Sequence, residues 1–443
     1  MKRFFLFSIS VALLCSSING QNTRKQWTLE ECIRYAIANN INLKQWEQNE
    51  ESKKIELNTY KNSWLPNLFA GGNQSFGFGR SESREGTIVD QNSSSTSFNV
   101  QTGMPLFDGF RIPNNIAAGK LNLKAATEAL NKAKEDLSVG VASYYLQALY
   151  YKEVYKIAEM QVELTKEHVV NTEALYEVGK VALSQLYDIK AQLATDEVTL
   201  IEAGNKVSLA MLDLIQILEL ERLGDDFDIV QPEIDDDLAT YMQSILMPDF
   251  IYDSAVLFKP QIKEQEYQLE RQKKLLNVAK SNYYPQLNIS AMYSNAYYST
   301  MDIPFNDQLN QNAKKSIGMS LTIPIFNRFI YRNNVRQAKV GVINQRLTME
   351  DSKKTLYKEI QQAYFNATAE QEKYLASEKS VAASREALMY AEERYIAGKS
   401  TVFEFNESKT KYASSLSQQA QAKYNFIFRA KILDFYNGVP ITL

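Results

Sequence analysis

The sequence predicts an α+β membrane protein built from two similar halves, each supplying a helix, a β-hairpin and a long helical hairpin. Three observations predict it. The chain repeats itself at a fixed offset. Each half holds two runs in which apolar and polar residues alternate over about the length of a tilted membrane strand. Each half then carries an unbroken helical pattern far longer than an ordinary globular helix.

The repeat is visible in one chain of 443 residues. The turn Tyr176-Glu177-Val178-Gly179-Lys180 recurs as Tyr395-Ile396-Ala397-Gly398-Lys399, 219 positions later. The same offset carries Pro66 to Pro285, Pro105 to Pro324, Phe107 to Phe326, Phe110 to Phe329, Tyr145 to Tyr364 and Lys190 to Lys409. No gap is needed from Pro66 to Leu214, whose counterpart is Leu433. A period this long describes two halves of one object, not a solenoid of short repeats.

The chain opens with the pattern of a secretory leader: Lys2-Arg3, the apolar run Phe4 to Leu14, and Ile18-Asn19-Gly20 before a cut at Gln21. Residues 1–20 are assigned to it. Leu14 is a poor neighbour for lipoprotein cleavage at Cys15, and lipidation is not expected there. Removing Lys2 and Arg3 moves the formal charge from −3 to −5, which is no nucleic-acid footprint. Cys32 is then the single cysteine, so no internal disulfide forms. His168 is the single histidine, which removes a His-based metal site or triad within one chain. It is expected on a helix surface.

From Trp27 to about Asn62 the spacing is helical, with Thr28-Leu29-Glu30-Glu31 as a capping-box start. Its counterpart runs from Pro248 to about Ser281. The period changes to two after Pro66, through Leu68, Ala70, Phe76 and Phe78, and again through Phe98, Val100, Thr102 and Met104 up to Pro105. Gly79 to Ser97 is rich in Ser, Gly, Asn and charge and reads as an exposed loop. The second half repeats the plan: Leu287, Ile289, Ala291 and Tyr293, a polar loop, then Ile317, Met319, Leu321 and Ile323 up to Pro324. Trp64, Phe107, Tyr283, Tyr284 and Phe326 gather where strands meet helices, as interfacial aromatics do.

From Asn114 to Val178 the chain has no proline. Roughly 65 residues at about 1.5 Å each make a rod of about 100 Å. Tyr145, Ala148, Tyr155, Ala158, Val162, Thr165, Val169, Thr172 and Tyr176 recur in coiled-coil steps, mirrored by Tyr364 to Tyr395. After Gly179 and Gly398 a second helix returns, and both glycines are expected as C-caps with positive φ. The stretch 221–247 is acidic and broken by Pro232, so it reads as the connection between a first repeat, 21–220, and a second, 248–443.

Four strands per chain cannot close a barrel, and open edges are not tolerated in lipid, so closure needs several copies; three give twelve strands. The residues thus describe an oligomeric barrel continued by a helical conduit. A second reading is an exported periplasmic coiled-coil protein that tethers others. It accounts for the helices but not for two matched alternating hairpins. Catalysis has no nucleophile, base and orienter set to carry it.

Together the proline-bounded hairpins, Pro105-Leu106-Phe107 with Pro324-Ile325-Phe326, and the two Tyr-x-x-Gly turns resemble the TolC-like outer-membrane efflux protein family over the whole mature chain. The resemblance implies a homotrimer with a twelve-stranded β-barrel, four strands from each chain, set in outer-membrane lipid. A long α-helical barrel in the periplasm and an equatorial belt, built from 221–248 and the C-terminal end, would complete it. It implies a passive exit duct in an efflux or type I secretion system, paired with a periplasmic membrane-fusion adaptor and an inner-membrane transporter, without a cofactor. The exported substrate and the transporter class are not written in the chain. Adaptor docking would fall at the tips, Tyr176, Gly179, Lys180, Tyr395, Gly398 and Lys399. A periplasmic gate would fall at Glu404 and Glu407, with Gln185 and Asp188 in the first half. Glu404 has a second reading, because Thr401-Val402-Phe403-Glu404 is also a capping box.

Overall fold

A computed structural model describes residues 25–82, 86–220, 227–232 and 246–442. The leader assigned to 1–20 and most of the acidic connection lie outside the described residues. The first half runs β1 (Lys25–Trp27), α1 (Leu29–Asn39), α2 (Ile41–Asn62), β2 (Asn67–Gly77), β3 (Arg80–Glu82), β4 (Ile88–Asp90), β5 (Ser93–Phe107), α3 (Arg111–Glu177) and α4 (Leu183–Leu218). After β6 (Phe227–Ile229), the second half runs α5 (Pro248–Phe258), α6 (Pro260–Ser281), β7 (Gln286–Tyr298), α7 (Phe305–Gln311), β8 (Lys314–Thr322), α8 (Ile330–Ile396) and α9 (Val402–Tyr436).

The predicted strands form one antiparallel sheet in the order β2-β5-β7-β8. Its centre is the β5–β7 ladder, which joins the two halves, and its edges are β2 and β8. The strand expected to stop at Pro105 continues to Phe107 through an irregularity between Pro105 and Phe107. Proline has no N–H to give to a ladder, so a bulge is where a strand accepts it.

α3 and α8 are each 67 residues, and their return arms α4 and α9 are 36 and 35. At about 1.5 Å per residue the long arms reach about 100 Å. The arms are held by α3, which packs against α4 and α9, while α8 packs against α9. Nearer the sheet, α3 packs against α2 and α6, and α6 against α8. The buried seam includes Tyr145, Ala148, Ala158, Val162, Thr165 and Thr172, much as the heptad spacing predicts.

Midway, two apolar cores repeat one another. Leu29, Cys32, Ala36, Val141, Leu149 and Leu214 form one, and Ile251, Ala255, Ile360, Ala367 and Leu433 the other. Short β1 pairs parallel with β6 beside the first core, and Ile441 near the C-terminus is buried there too. Tyr145 Oη donates to a backbone oxygen here, 2.6 Å from Val230 O and 3.1 Å from Trp27 O. This phenol bolts the returning connection onto α3. Lys152 adds an ion pair to Asp228.

Candidate functional site

Directly paired residues in a sheet share a face, so the register assigns every side chain. One face carries Ala70 opposite Val100, Met104 opposite Ile289, Ile289 opposite Met319, and Leu287 opposite Leu321. Toward the helices it is apolar apart from Thr102, and toward the far end it also carries Gln74, Thr96, Asn295 and Lys315; yet Leu68 is 73% and Ile317 81% exposed. The other face carries Gly71 opposite Asn99, Gln101 opposite Met292, Asn99 opposite Ser294, and Asn288 opposite Ser320. It is lined mainly by amides, hydroxyls and glycine, with Phe69, Met292 and Ala296 among them, and Lys314 at its outer end is its one charge among the described residues. Such a sheet suits lipid on one side and water on the other.

Each strand hands over to its helix through a sharp turn. Gly109 (φ 67°) and Phe110 (φ 68°) are both left-handed, as are Arg328 (φ 55°) and Phe329 (φ 63°) in the second half. A Cβ on Gly109 would meet the Ser281 carbonyl oxygen at 2.4 Å, so only glycine fits there. Asp108 is buried and its Oδ2 accepts from Ile112 N–H at 2.9 Å, serving the start of α3. The predicted junction aromatics lie here. Phe107 packs edge-on against Phe110 and Phe326 against Phe329, while Tyr283 packs against Tyr331. Tyr284 meets Phe110, and Trp64 sits partly exposed after α2.

At the far tips, Gly179 (φ 73°) and Gly398 (φ 68°) occupy the left-handed region, and nothing lies within 4 Å of a Cβ placed on either. Conformation, not crowding, requires glycine there. Lys180 N–H bonds back to Leu175 O and Lys399 N–H to Arg394 O, closing two matching Schellman caps. Lys180 and Lys399 are outside the helices. Tyr176 is partly exposed, but Tyr395 is not a free tip residue. It stacks on Phe405 at 5.3 Å and its hydroxyl lies 2.9 Å from Thr172 Oγ1.

The gate candidates all fall in the first two turns of the return arms, Gln185 and Asp188 on α4, Glu404 and Glu407 on α9. Glu404 N–H donates to Thr401 Oγ1 at 3.3 Å, which is half of a capping box. Its carboxylate does not complete the box. It turns instead to Arg394, 3.2 Å away. Glu407 and Asp188 are exposed, and Gln185 is half-buried.

Beneath the gate residues the two hairpins are tied by a cluster that the spacing did not announce. Lys409 is 1% exposed; its Nζ donates to Thr165 Oγ1 at 2.7 Å and pairs with Asp196 Oδ2 at 2.5 Å. Burial lowers the Lys409 pKa, and Asp196 opposes that shift. His168, expected on a surface, is buried at 2%. Its ring lies against Phe405 at 4.3 Å and Tyr395 at 5.7 Å, with Nε2 3.3 Å from Glu392. Neither ring nitrogen makes a well-directed hydrogen bond. Burial depresses its pKa, against the pull of Glu392. The heptad reading covered small seam residues and had no signal for a ring that enters from the side. The repeat carried the one hint, since Lys409 matches surface Lys190 while Asp196 matches Ser415.

Among the described residues no cluster of three His, Cys, Asp or Glu is placed to hold a metal, and no helix is long and apolar enough to cross a membrane. The model of the outer membrane efflux protein family matches residues 32–219 and 251–433. The outer membrane protein TolC of Salmonella enteritidis is 21% identical over 94% of this chain and 83% of its own length. Among solved structures, CusC, described in terms of folding and transmembrane channel formation, superposes with a TM-score of 0.76 at 16% identity, covering 94% of this chain and 93% of its own. The CmeC outer membrane channel of Campylobacter jejuni gives 0.73 at 18%, covering 93% and 86%.

Proposed function

The chain belongs to the outer membrane efflux protein family, and from that premise we propose that it is the outer-membrane exit duct of a three-part efflux or type I secretion system. In this reading it is a homotrimer, and its partners are a periplasmic membrane-fusion adaptor and an inner-membrane transporter. Residues 1–20 are the leader, 21–220 and 248–443 the two repeats, and 221–247 the equatorial connection. The duct is passive and performs no catalysis. The observation that carries the proposal is the sheet itself: one mainly apolar face, one polar face with a single lysine at its outer end and two open edges, continued by helical arms of about 100 Å. A soluble tether would leave Leu68, Ile317, Met319 and Leu321 in water. Lipid contact explains their exposure.

The tips Tyr176, Gly179, Lys180, Tyr395, Gly398 and Lys399 dock the adaptor. Glu404 and Glu407, with Asp188 and Gln185 from the first half, narrow the periplasmic end. Three copies bring six second-half carboxylates together there, and such a ring attracts cations and is blocked by multivalent ones. The ion pair from Arg394 offsets part of the Glu404 charge. Single-channel recording in planar bilayers tests the reading. The native chain is expected to form a cation-selective channel blocked by trivalent cations. The double variant Glu404→Gln with Glu407→Gln loses both properties, and Arg394→Ala sharpens selectivity. Unchanged selectivity and block in the double variant would remove the gate assignment. Recovery of the native chain as a soluble periplasmic protein would remove the duct.

A further inference from the structure

On the apolar face of the sheet one row of opposed residues runs Leu68, Thr102, Ala291 and Ile317 across the four strands. Its two middle members are small. Leu68 and Ile317 stand three strand spacings apart, about 14 Å. A shallow groove of about 550 Å³ lies between them, over Thr102 and Ala291. The Thr102 hydroxyl donates to Asn67 O at 2.5 Å, so the floor of the groove needs no polar ligand. The next row outward ends in Tyr293 opposite Lys315, and these two form the outer rim. We propose that this groove is a lipid site. It seats an acyl chain of a phosphorylated sugar lipid of the outer leaflet, and a phosphate of that lipid pairs with Lys315. The site rests on the membrane reading above and adds to it a specific ligand, one per chain.

Three observations point to that occupant. The first is Lys315 itself. It is exposed, and no carboxylate among the described residues pairs with it. The 219-residue offset carries Lys315 onto Thr96 and Tyr293 onto Gln74, which oppose one another in the same way. There the Thr96 hydroxyl donates to Gln74 Oε1, and the pair is satisfied within the chain. The second half holds instead a cation beside a phenol, with Tyr293 42% exposed. Only that half offers a partner to an anion, so each chain has one site and not two.

The second is depth. Tyr293 lies nine residues beyond Tyr284, the junction aromatic just before β7. At ~3.3 Å per residue and a tilt of ~40°, it stands about 23 Å from that junction, and the apolar band of such a barrel is about 25 Å tall. Lys315, directly opposite, is thus at the outer boundary of the hydrocarbon, where its stem stays in lipid and its ammonium reaches headgroup phosphates. The groove lies below it at the depth of acyl chains. The third is what lies beyond the rim. Farther out the same face carries Phe98 and Asn295, then Gln74, Thr96 and Tyr297. Rings with a polar edge and amides that both donate and accept interleave there, which suits a hydroxyl-rich sugar headgroup better than the compact headgroup of a phospholipid.

Native mass spectrometry of the full chain in mild detergent, titrated with lipid A, tests the site. The native oligomer is expected to hold one lipid A per chain. Lys315→Gln should weaken that binding about ten-fold or more, the scale of a lost hydrogen bond between charged groups. Lys314→Gln, on the opposite face, should leave it unchanged. Ala291→Phe fills the groove while Lys315 stays in place, and it too should weaken binding. Its ring meets lipid and not a packed core, so assembly is retained. Lipid A stripped of its phosphates should bind the native chain and Lys315→Gln equally. Phosphatidylglycerol, anionic but without a sugar, should bind more weakly than lipid A. Lipid A binding that neither Lys315→Gln nor Ala291→Phe weakens overturns the site. Phosphatidylglycerol held as tightly as lipid A overturns the sugar lipid as its occupant. Chains that fly only as monomers and take up no lipid overturn the membrane barrel, and the site with it; the oligomer mass in the same spectrum tells these failures apart.

Discussion

His168 shows what a single side chain contributes to the joint between hairpins. Its ring fills a gap bounded by Phe405 and Tyr395, with Glu392 at its edge and Lys409 and Glu167 adding their charges. The ring is buried without a well-directed hydrogen bond, so its charged form is disfavoured and its pKa is lowered. An unfolded imidazole titrates near ~6.5. Between that value and the lower folded one, the unfolded chain binds more protons, so stability rises with pH across this window. It is fully present above the unfolded value and is lost as pH falls toward the folded one. Acidification from pH 7.5 to pH 5.5 should therefore lower the unfolding temperature of the native protein more than that of His168→Gln. Carboxylates elsewhere titrate alike in both proteins and cancel in the difference. Equal losses in the two would mean that the imidazole stays neutral without cost. Lys409 acts otherwise. Its pair with Asp196 is buried, and such a pair holds two helices in register more surely than it adds net stability.

A strand of this sheet answers differently on its two faces, and neighbouring residues on β7 measure the difference. Ile289 faces the apolar side between Met104 and Met319, and Ser290 faces the polar side between Gly103 and Gly318. An arginine on the lipid face near the midplane costs about 2–4 kcal/mol, while one facing water costs little. Ile289→Arg should thus sharply reduce assembled, membrane-inserted protein. Ser290→Arg should assemble normally and shift ion selectivity toward anions, because it adds positive charge to a wall whose one charge, Lys314, lies at its outer end. Comparison of heat-resistant oligomer on gels, then of reversal potentials, checks both. This two-faced sheet was legible in the sequence because a period of two writes itself into Leu287, Ile289, Ala291 and Tyr293. The long arms were legible for a similar reason, in the heptad from Tyr145 to Tyr176. What was not legible depends on contacts between distant segments. The β1–β6 pair needs 25–27 and 227–229 to meet, and neither stretch is long enough to carry a pattern. The side chain of Glu404 turned to Arg394, where local spacing alone pointed to its own cap. Surface ion pairs of this kind are worth little, so no sequence rule anticipates them.

The molecule as a whole is governed by the equality of its halves. Arms of 67 and 67 residues return through 36 and 35, so the tips Gly179 and Gly398 stand at matching distances from the sheet. In a closed trimer the two hairpins alternate around the ring, and a seal at the tips requires all six to end at one level. Length should therefore matter relatively more than absolutely. Removing one heptad from each arm of the first hairpin, between the Tyr155–Gly204 contact and the Thr165–Asp196 bond, keeps the coiled-coil phase. It withdraws that tip by about 10 Å. Alternate tips would then stand off from their neighbours, and resting conductance in planar bilayers should rise well above the native level. Removing the counterpart heptads from the second hairpin as well brings the tips level again. That doubly shortened chain should regain the low resting conductance while losing export, because an adaptor set for the native span no longer reaches it. If the singly shortened chain were as tight as the native one, closure could not depend on level tips. The seal would then lie nearer the sheet, around the β1–β6 pair that Tyr145 ties to α3 through Trp27 and Val230.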